Sequence, residues 1–228
     1  FAGARELGWL SPPARAEHVA FGSVLGTDKR MFKSRSGDAV RLVDLIDAAV
    51  ERAEAVVAEK APDLDPAVRA EVARMVGVDS IKYADLSSDR VKDYVFDLDR
   101  MVSFDGNTAG YLQYAHARIR SMFRKAEGAK VGPIRFSEGA EGEAERALVL
   151  AALRFGSAVE AVESSLEPHK LAGYLYGLAT AFTTFYERCA VLKAPEDVRA
   201  SRLALAELTA RVLARGLSLL GIEAPERM

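Results

Sequence analysis

From Val40 onward, apolar residues recur every three to four positions. Leu42, Leu45, Ile46, Ala49, Val50 and Ala53 share one face and predict an amphipathic helix that Pro62 ends. Asp65-Pro66 reads as an N-cap followed by a first-turn proline. Gly77 reads as the stop of that helix, and Asp79 as the opening of a shorter one through Tyr83. Asn107-Thr108 caps a strong helix that runs to about Ala126. Lys130 to Gly142 contains three glycines and Pro133, so it reads as a loop. Helices follow over Glu143 to Arg154, after Phe155, from Pro168 to about Arg188, and from Pro195 to about Leu220. Short links favour antiparallel neighbours, so the chain from 107 onward predicts an antiparallel helical bundle of about five helices.

The first third has a different pattern. Ala4 to Leu7 look like the end of a helix stopped near Gly8, and Pro12-Pro13 mark a loop. His18 to Leu25 is apolar and partly β-branched, and predicts a strand. Tyr94-Val95-Phe96 fits either a short strand or a helix end. Between Thr27 and Asp38 lies a basic loop that ends in Gly37-Asp38. A strand, a basic loop and then a helix are what remains of a nucleotide-binding α/β domain cut near its end. The fold class is therefore mainly α: a helical bundle preceded by a helical connector and an α/β remnant.

Composition narrows the function classes. Half of the residues are hydrophobic and 28% are charged, which excludes long disorder. The net charge of −2 excludes a uniformly basic coat, so any nucleic-acid contact must use a local patch. Cys189 is the sole cysteine, so neither a disulfide within the chain nor a multi-cysteine zinc site can form; this fits a reducing compartment. No apolar run reaches the ~18 residues that span a bilayer. The chain starts at Phe1 without a signal-peptide pattern and reads as a fragment that lacks its N-terminal part.

Three places could carry chemistry. In the basic loop, Lys29, Arg30, Lys33 and Arg35 interleave with Ser34, Ser36 and Gly37. Cations, small hydroxyls and glycine suit a phosphate cradle, although a solvated surface loop has the same composition. On the helix after Thr108, Leu112, Ala115, Ile119, Met122, Phe123 and Ala126 form the core face. Tyr111, Tyr114, Arg118 and Lys125 gather on a neighbouring flank. Aromatics beside cations can stack bases and hold phosphates; tyrosines at a core edge with their hydroxyls in water are the plainer reading. Tyr186 sits at the end of a helix whose apolar face holds Leu175, Leu178, Phe182 and Phe185, and it too could be core. The histidines, His18, His116 and His169, are scattered, and no zincin, Walker or nucleophile-elbow motif occurs. Asp93, Asp97 and Asp99 read as caps and surface.

Longer strings point further. HVAFGSVLG (18–26), MFKSRSGDAVRLVDLIDAAVERA (31–53), IKYADLSSDRVKDYVFDLDRM (81–101), GNTAGYLQYAHARIRSM (106–122), EPHKLAGYLYGLA (167–179), FYERCAVL (185–192) and LLGIEAPERM (219–228) occur in this order. Together they resemble arginyl-tRNA synthetases, class I aminoacyl-tRNA synthetases, over essentially the whole chain. Gly110 and Ala190 stand where this family is expected to carry proline.

The resemblance implies three regions. Residues 1–38 would be the end of the catalytic α/β domain with its lysine-serine-type loop, 39–105 a connector contacting the tRNA stem, and 106–228 the anticodon-binding module often called DALR. Lys33, Ser34 and Arg35 would then face ATP phosphates, with Arg35 departing from the expected second lysine. Tyr111 or Tyr114, Tyr186 and Met228 would meet anticodon bases. Arg118 and Lys125 join them from the flank. The implied activity is arginine–tRNA ligation in the cytoplasm, with ATP and Mg2+ as substrate and ion, and tRNA(Arg) and arginine as partners. No H-x-G-H string is present, so the fragment is expected to hold no cofactor and to be inactive alone. A stand-alone helical RNA-binding module and another class I enzyme, such as the cysteinyl synthetase, are the rival readings.

Overall fold

The computed structural model describes residues 1–31 and 41–228; Lys33, Ser34 and Arg35 lie outside the described residues. A short helix α1 (Ala2–Glu6) precedes strand β1 (Val24–Leu25). Helices α2 (Leu42–Lys60) and α3 (Pro66–Ser87) follow, then β2 (Tyr94–Val95) and α4 (Leu98–Met101). The remaining helices are α5 (Ala109–Lys125), α6 (Gly139–Leu153), α7 (Phe155–Ser165), α8 (His169–Arg188) and α9 (Glu196–Leu219).

The predicted strand from His18 is shorter than its apolar run. Only Val24 and Leu25 pair, in parallel with Tyr94 and Val95, which resolves the ambiguity at 94–96 in favour of a strand. Residues 18–21 have no sheet neighbour among the described residues. Gly22 and Ser23 are instead tied to Arg90 and Asp93: Gly22 N–H donates to the Arg90 carbonyl and Ser23 N–H to Asp93 Oδ1. Phe21 is 87% exposed. A chain with apolar side chains and no ladder should open readily. Amides 18–21 are expected to exchange on the order of a thousandfold faster than the central amides of α5. Equal protection in a monomer would contradict this.

Gly77 does not stop α3, and Asp79 does not start a new helix. The helix is continuous from Pro66 to Ser87, with Asp65 as the N-cap accepting from Ala67 and Val68 N–H. A Cβ on Gly77 would lie 2.6 Å from Val50 Cα. The glycine therefore serves the close approach of α2 and α3, not a break. Ala53 and Val57 of α2 pack there on Val72, Ala73 and Val76 of α3, Ala49 is buried beside Gly77, and Leu42 at the start of the predicted face stays exposed.

The helices of the bundle match the pattern, with one shift: α6 begins at Gly139, inside the predicted loop. Helix α8 is central, packing against α3, α5, α6, α7 and α9. Leu112 and Ile119 of α5, Leu148 of α6, Leu175, Phe182 and Phe185 of α8, and Leu203, Leu213 and Leu217 of α9 form one core. Tyr83 reaches into it from α3, donating its hydroxyl proton toward Asn107 Oδ1 at 2.6 Å, with the Ala172 carbonyl at 3.2 Å. No described helix is long and apolar enough to cross a membrane.

Candidate nucleic-acid interface

Helix α5 sets the register of the interface. Thr108 Oγ1 accepts the Tyr111 N–H at 3.2 Å and donates to the Ser103 carbonyl at 2.6 Å, so the cap fixes the first turn against the preceding loop. With the core face buried, Tyr111, Tyr114 and Arg118 fall at i, i+3 and i+7 along one flank, beside α8.

These side chains meet aromatic partners. The Tyr111 ring lies 5.5 Å from that of Tyr176, and its hydroxyl is 3.3 Å from Thr183 Oγ1. Tyr114 is 42% exposed and stands edge-on to Phe104, 6.3 Å between centroids. The Arg118 guanidinium lies 3.9 Å from the centroid of Tyr186. Tyr186 is half-buried, with its ring 6.0 Å from core residue Phe182. It is therefore both core edge and platform. Its ring is not free to face outward alone, as its place at the helix end suggests, because Arg118 lies on it. Planar guanidinium on a phenol ring is itself a surface on which a base can stack.

Lys125 is exposed, but fourteen positions beyond Tyr111 it stands roughly 21 Å farther along the helix. That distance sets it apart from the ring cluster of Tyr111, Tyr114 and Tyr186. Lys130 and Arg199 line the same shallow cleft.

Met228 is placed by a longer route. After α9, Gly221 adopts φ +68° and turns the chain. Segment 221–228 then crosses α3 and α5, and Met228 packs with Phe104 against the α2–α3 apolar cluster. Phe104 thus touches Tyr114 on one side and belongs to the cluster holding Met228 on the other.

Polar groups that the sequence pattern does not reveal hold this segment. Asp79 is 1% exposed and Gln113 is fully buried. Asp79 Oδ2 accepts from Gln113 Nε2 and from the Glu223 N–H, both at 2.9 Å. Burial pushes the Asp79 carboxyl above its ordinary range, against the opposing bonds from Glu223 and Lys82. His116 Nδ1 lies 2.9 Å from the Pro225 carbonyl, which can only accept, so this nitrogen carries the proton. Burial holds His116 below its usual value, hence neutral near pH 7. Gln113 and His116, polar residues at i and i+3 inside an otherwise apolar face, are the one local signal of this network.

No cluster of metal-ligating side chains occurs among the described residues. The site offers rings, guanidinium and ammonium groups on a helical scaffold: tools for binding single-stranded bases and phosphates.

Comparison with known proteins agrees. Residues 112–228 match the family described as DALR anticodon binding domain. The chain belongs to the DALR anticodon-binding family. Residues 1–98 match the catalytic domain of class I (R) tRNA synthetases. The resemblance to arginyl-tRNA synthetases drawn from the sequence strings is borne out by both matches. The arginine–tRNA ligase of Frankia casuarinae is 55% identical over 228 residues, all of this chain and 38% of that protein. That of Thermobifida fusca is 54% identical, over 99% of this chain and 39% of that protein. The DALR chain thus spans under two-fifths of the length of these relatives. Thermus thermophilus arginyl-tRNA synthetase superposes with a TM-score of 0.83 at 38% identity, over 92% of this chain and 35% of that one. The Plasmodium falciparum enzyme superposes with a TM-score of 0.77 at 28% identity, over the whole of this chain and 38% of that one.

Proposed function

We propose that this chain is the anticodon-reading end of an arginine–tRNA ligase. The observation that carries the reading is the α5–α8 flank of Tyr111, Tyr114, Arg118 and Tyr186, lying within a DALR match that runs to Met228. In this reading residues 106–228 hold the anticodon loop, with stacking on the Arg118–Tyr186 pair and apolar contact from Met228. Residues 39–105 connect to the stem, and residues 1–38 close the catalytic domain. Lys33, Ser34 and Arg35 would neutralise ATP phosphates there. Their cations act on charge that shifts in the transition state, so their loss should lower turnover more than arginine binding. ATP use is a property of the matched synthetase family. Mg2+ as its counter-ion and a cytoplasmic setting belong to the same proposal.

The chain contains no H-x-G-H string. It should therefore bind tRNA(Arg) without catalysing arginine-dependent ATP–pyrophosphate exchange, whereas the full-length gene product should charge tRNA(Arg) with arginine. Exchange by the purified chain above a no-enzyme control, or a full-length product that charges with another amino acid, would overturn the reading.

A further inference from the structure

Segment 221–228 has no regular secondary structure, yet its path is tightly specified. Lys82 Nζ donates to the Gly221 carbonyl at 2.8 Å, and the Glu223 N–H donates to Asp79. Gln113 Nε2 donates to the Glu223 carbonyl at 3.0 Å, His116 to the Pro225 carbonyl, and Arg124 to the Glu226 carbonyl at 2.7 Å. Arg120 lies 3.5 Å from the Glu226 carboxylate.

All but the last of these contacts engage backbone atoms. They fix where each residue of the segment lies without depending on its side chain. Such bonds are directional, whereas apolar anchors such as Ile222 and Pro225 tolerate sliding. One residue of slip would move Met228 by about 3.5 Å, the length of an extended residue. That is as large as a van der Waals contact, enough to lose a base. Burying a carboxylate and an amide to hold an irregular segment is costly, and apolar residues would have packed α3 on α5 without that cost. The network therefore has a reason beyond packing.

We infer that Asp79, Gln113 and His116 are positioning residues for base recognition: they lock the register of segment 221–228 and so present Met228 at the α2–α3 cluster on which Phe104 also packs. The inference rests on the anticodon reading above. It assigns to α3, a helix outside the DALR match, a part in anticodon recognition.

The test is a double-mutant cycle on the full-length protein with the anticodon stem-loop of tRNA(Arg), joined to hydrogen exchange at the Glu223 amide. Met228→Ala should weaken binding about fivefold or more with an unchanged melting temperature. Gln113→Leu should weaken it by a similar factor and speed exchange at Glu223. In the Gln113→Leu/Met228→Ala protein the two factors should not multiply, because the first substitution acts only through the second residue. Lys82→Met, at a half-exposed side chain, releases the Gly221 carbonyl together with the 3.1 Å bond to Asp79 Oδ1; it repeats the cycle from the rim of the network and should give a smaller loss that vanishes in Met228→Ala. Factors that multiply in both cycles would overturn the inference and leave the anticodon reading standing. So would faster exchange at Glu223 with unchanged affinity. Absence of stem-loop binding by the wild-type protein would sink the anticodon reading, and this inference with it.

Discussion

Replacing Arg202 with methionine should destabilise the bundle by about 3–5 kcal/mol, the cost of leaving a buried charge without its partner. Arg202 is 2% exposed on α9, and Glu145 is 1% exposed on α6. Arg202 Nε donates to Glu145 Oε1 at 2.8 Å, and its other nitrogens reach Glu141 Oε2 at 2.8 Å, the Ala190 carbonyl at 2.9 Å and Ser137 Oγ at 3.2 Å. Burial works against the Arg202 charge, but the hydrogen bonds it donates to Glu145 and Glu141 outweigh that and leave the guanidinium above its ordinary value. Removal of the arginine strands the Glu145 carboxylate with only Ser137 N–H and Oγ–H as donors. Urea midpoints at neutral pH measure the loss, which corresponds to roughly 10 °C or more in melting temperature. The Arg202→Met/Glu145→Leu pair should recover much of it, since paired charges replaced by apolar residues of similar size are often neutral. A single-variant loss under about 1 kcal/mol would mean that water reaches Glu145 and that the pair does not brace α6 on α9.

That brace marks the boundary of what the sequence makes legible. Signals that act within one turn are readable. Thr108 and Asp65-Pro66 cap where their types predict, and the prolines at 168 and 195 stand immediately before α8 and α9. Signals whose partner is distant are not. Gly77 followed by Asp79 has the local form of one helix ending and another starting. In the fold, Gly77 answers to Val50 and Asp79 to Glu223, 144 positions away. The loop from Lys130 is irregular as predicted up to Glu138, but its order comes from α9: Gly132 N–H donates to the Ala200 carbonyl, and Ser201 Oγ–H to the Arg135 carbonyl. The strand from His18 fails for the converse reason, because an apolar run without a partner cannot form a ladder. In the candidate site, helical spacing alone aligns Tyr111, Tyr114 and Arg118. It cannot reveal that Arg118 lies on Tyr186, or that Phe104 joins Tyr114 to the cluster that holds Met228.

The Arg118–Tyr186 pair carries the largest expected effect on binding. Tyr186→Ala should weaken tRNA(Arg) binding by about tenfold or more, since loss of one base–aromatic stack is worth roughly 1–3 kcal/mol. Phenylalanine should largely restore it, because the π-face and not the hydroxyl supports the stack. The geometry adds a second expectation. With the guanidinium 3.9 Å from the ring centroid, ring and cation form one platform. Arg118→Ala should therefore weaken binding by a comparable factor, and the double variant should lose little more than the larger single loss. Arg118 also discriminates two uses of its charge. If it stays on Tyr186 and stacks beneath a base, its removal leaves the salt dependence of binding nearly intact. If it swings to a phosphate, the logarithmic salt slope falls by about one. The contact of Tyr186 with Phe182 gives the core alternative a clear signature: Tyr186→Ala would lower the melting temperature, and lost affinity would track the unfolded fraction. Affinity and thermal stability of the Ala and Phe variants, each at two salt concentrations, separate these cases. A folded Tyr186→Ala protein that binds tRNA(Arg) as tightly as wild type would remove this ring from the interface.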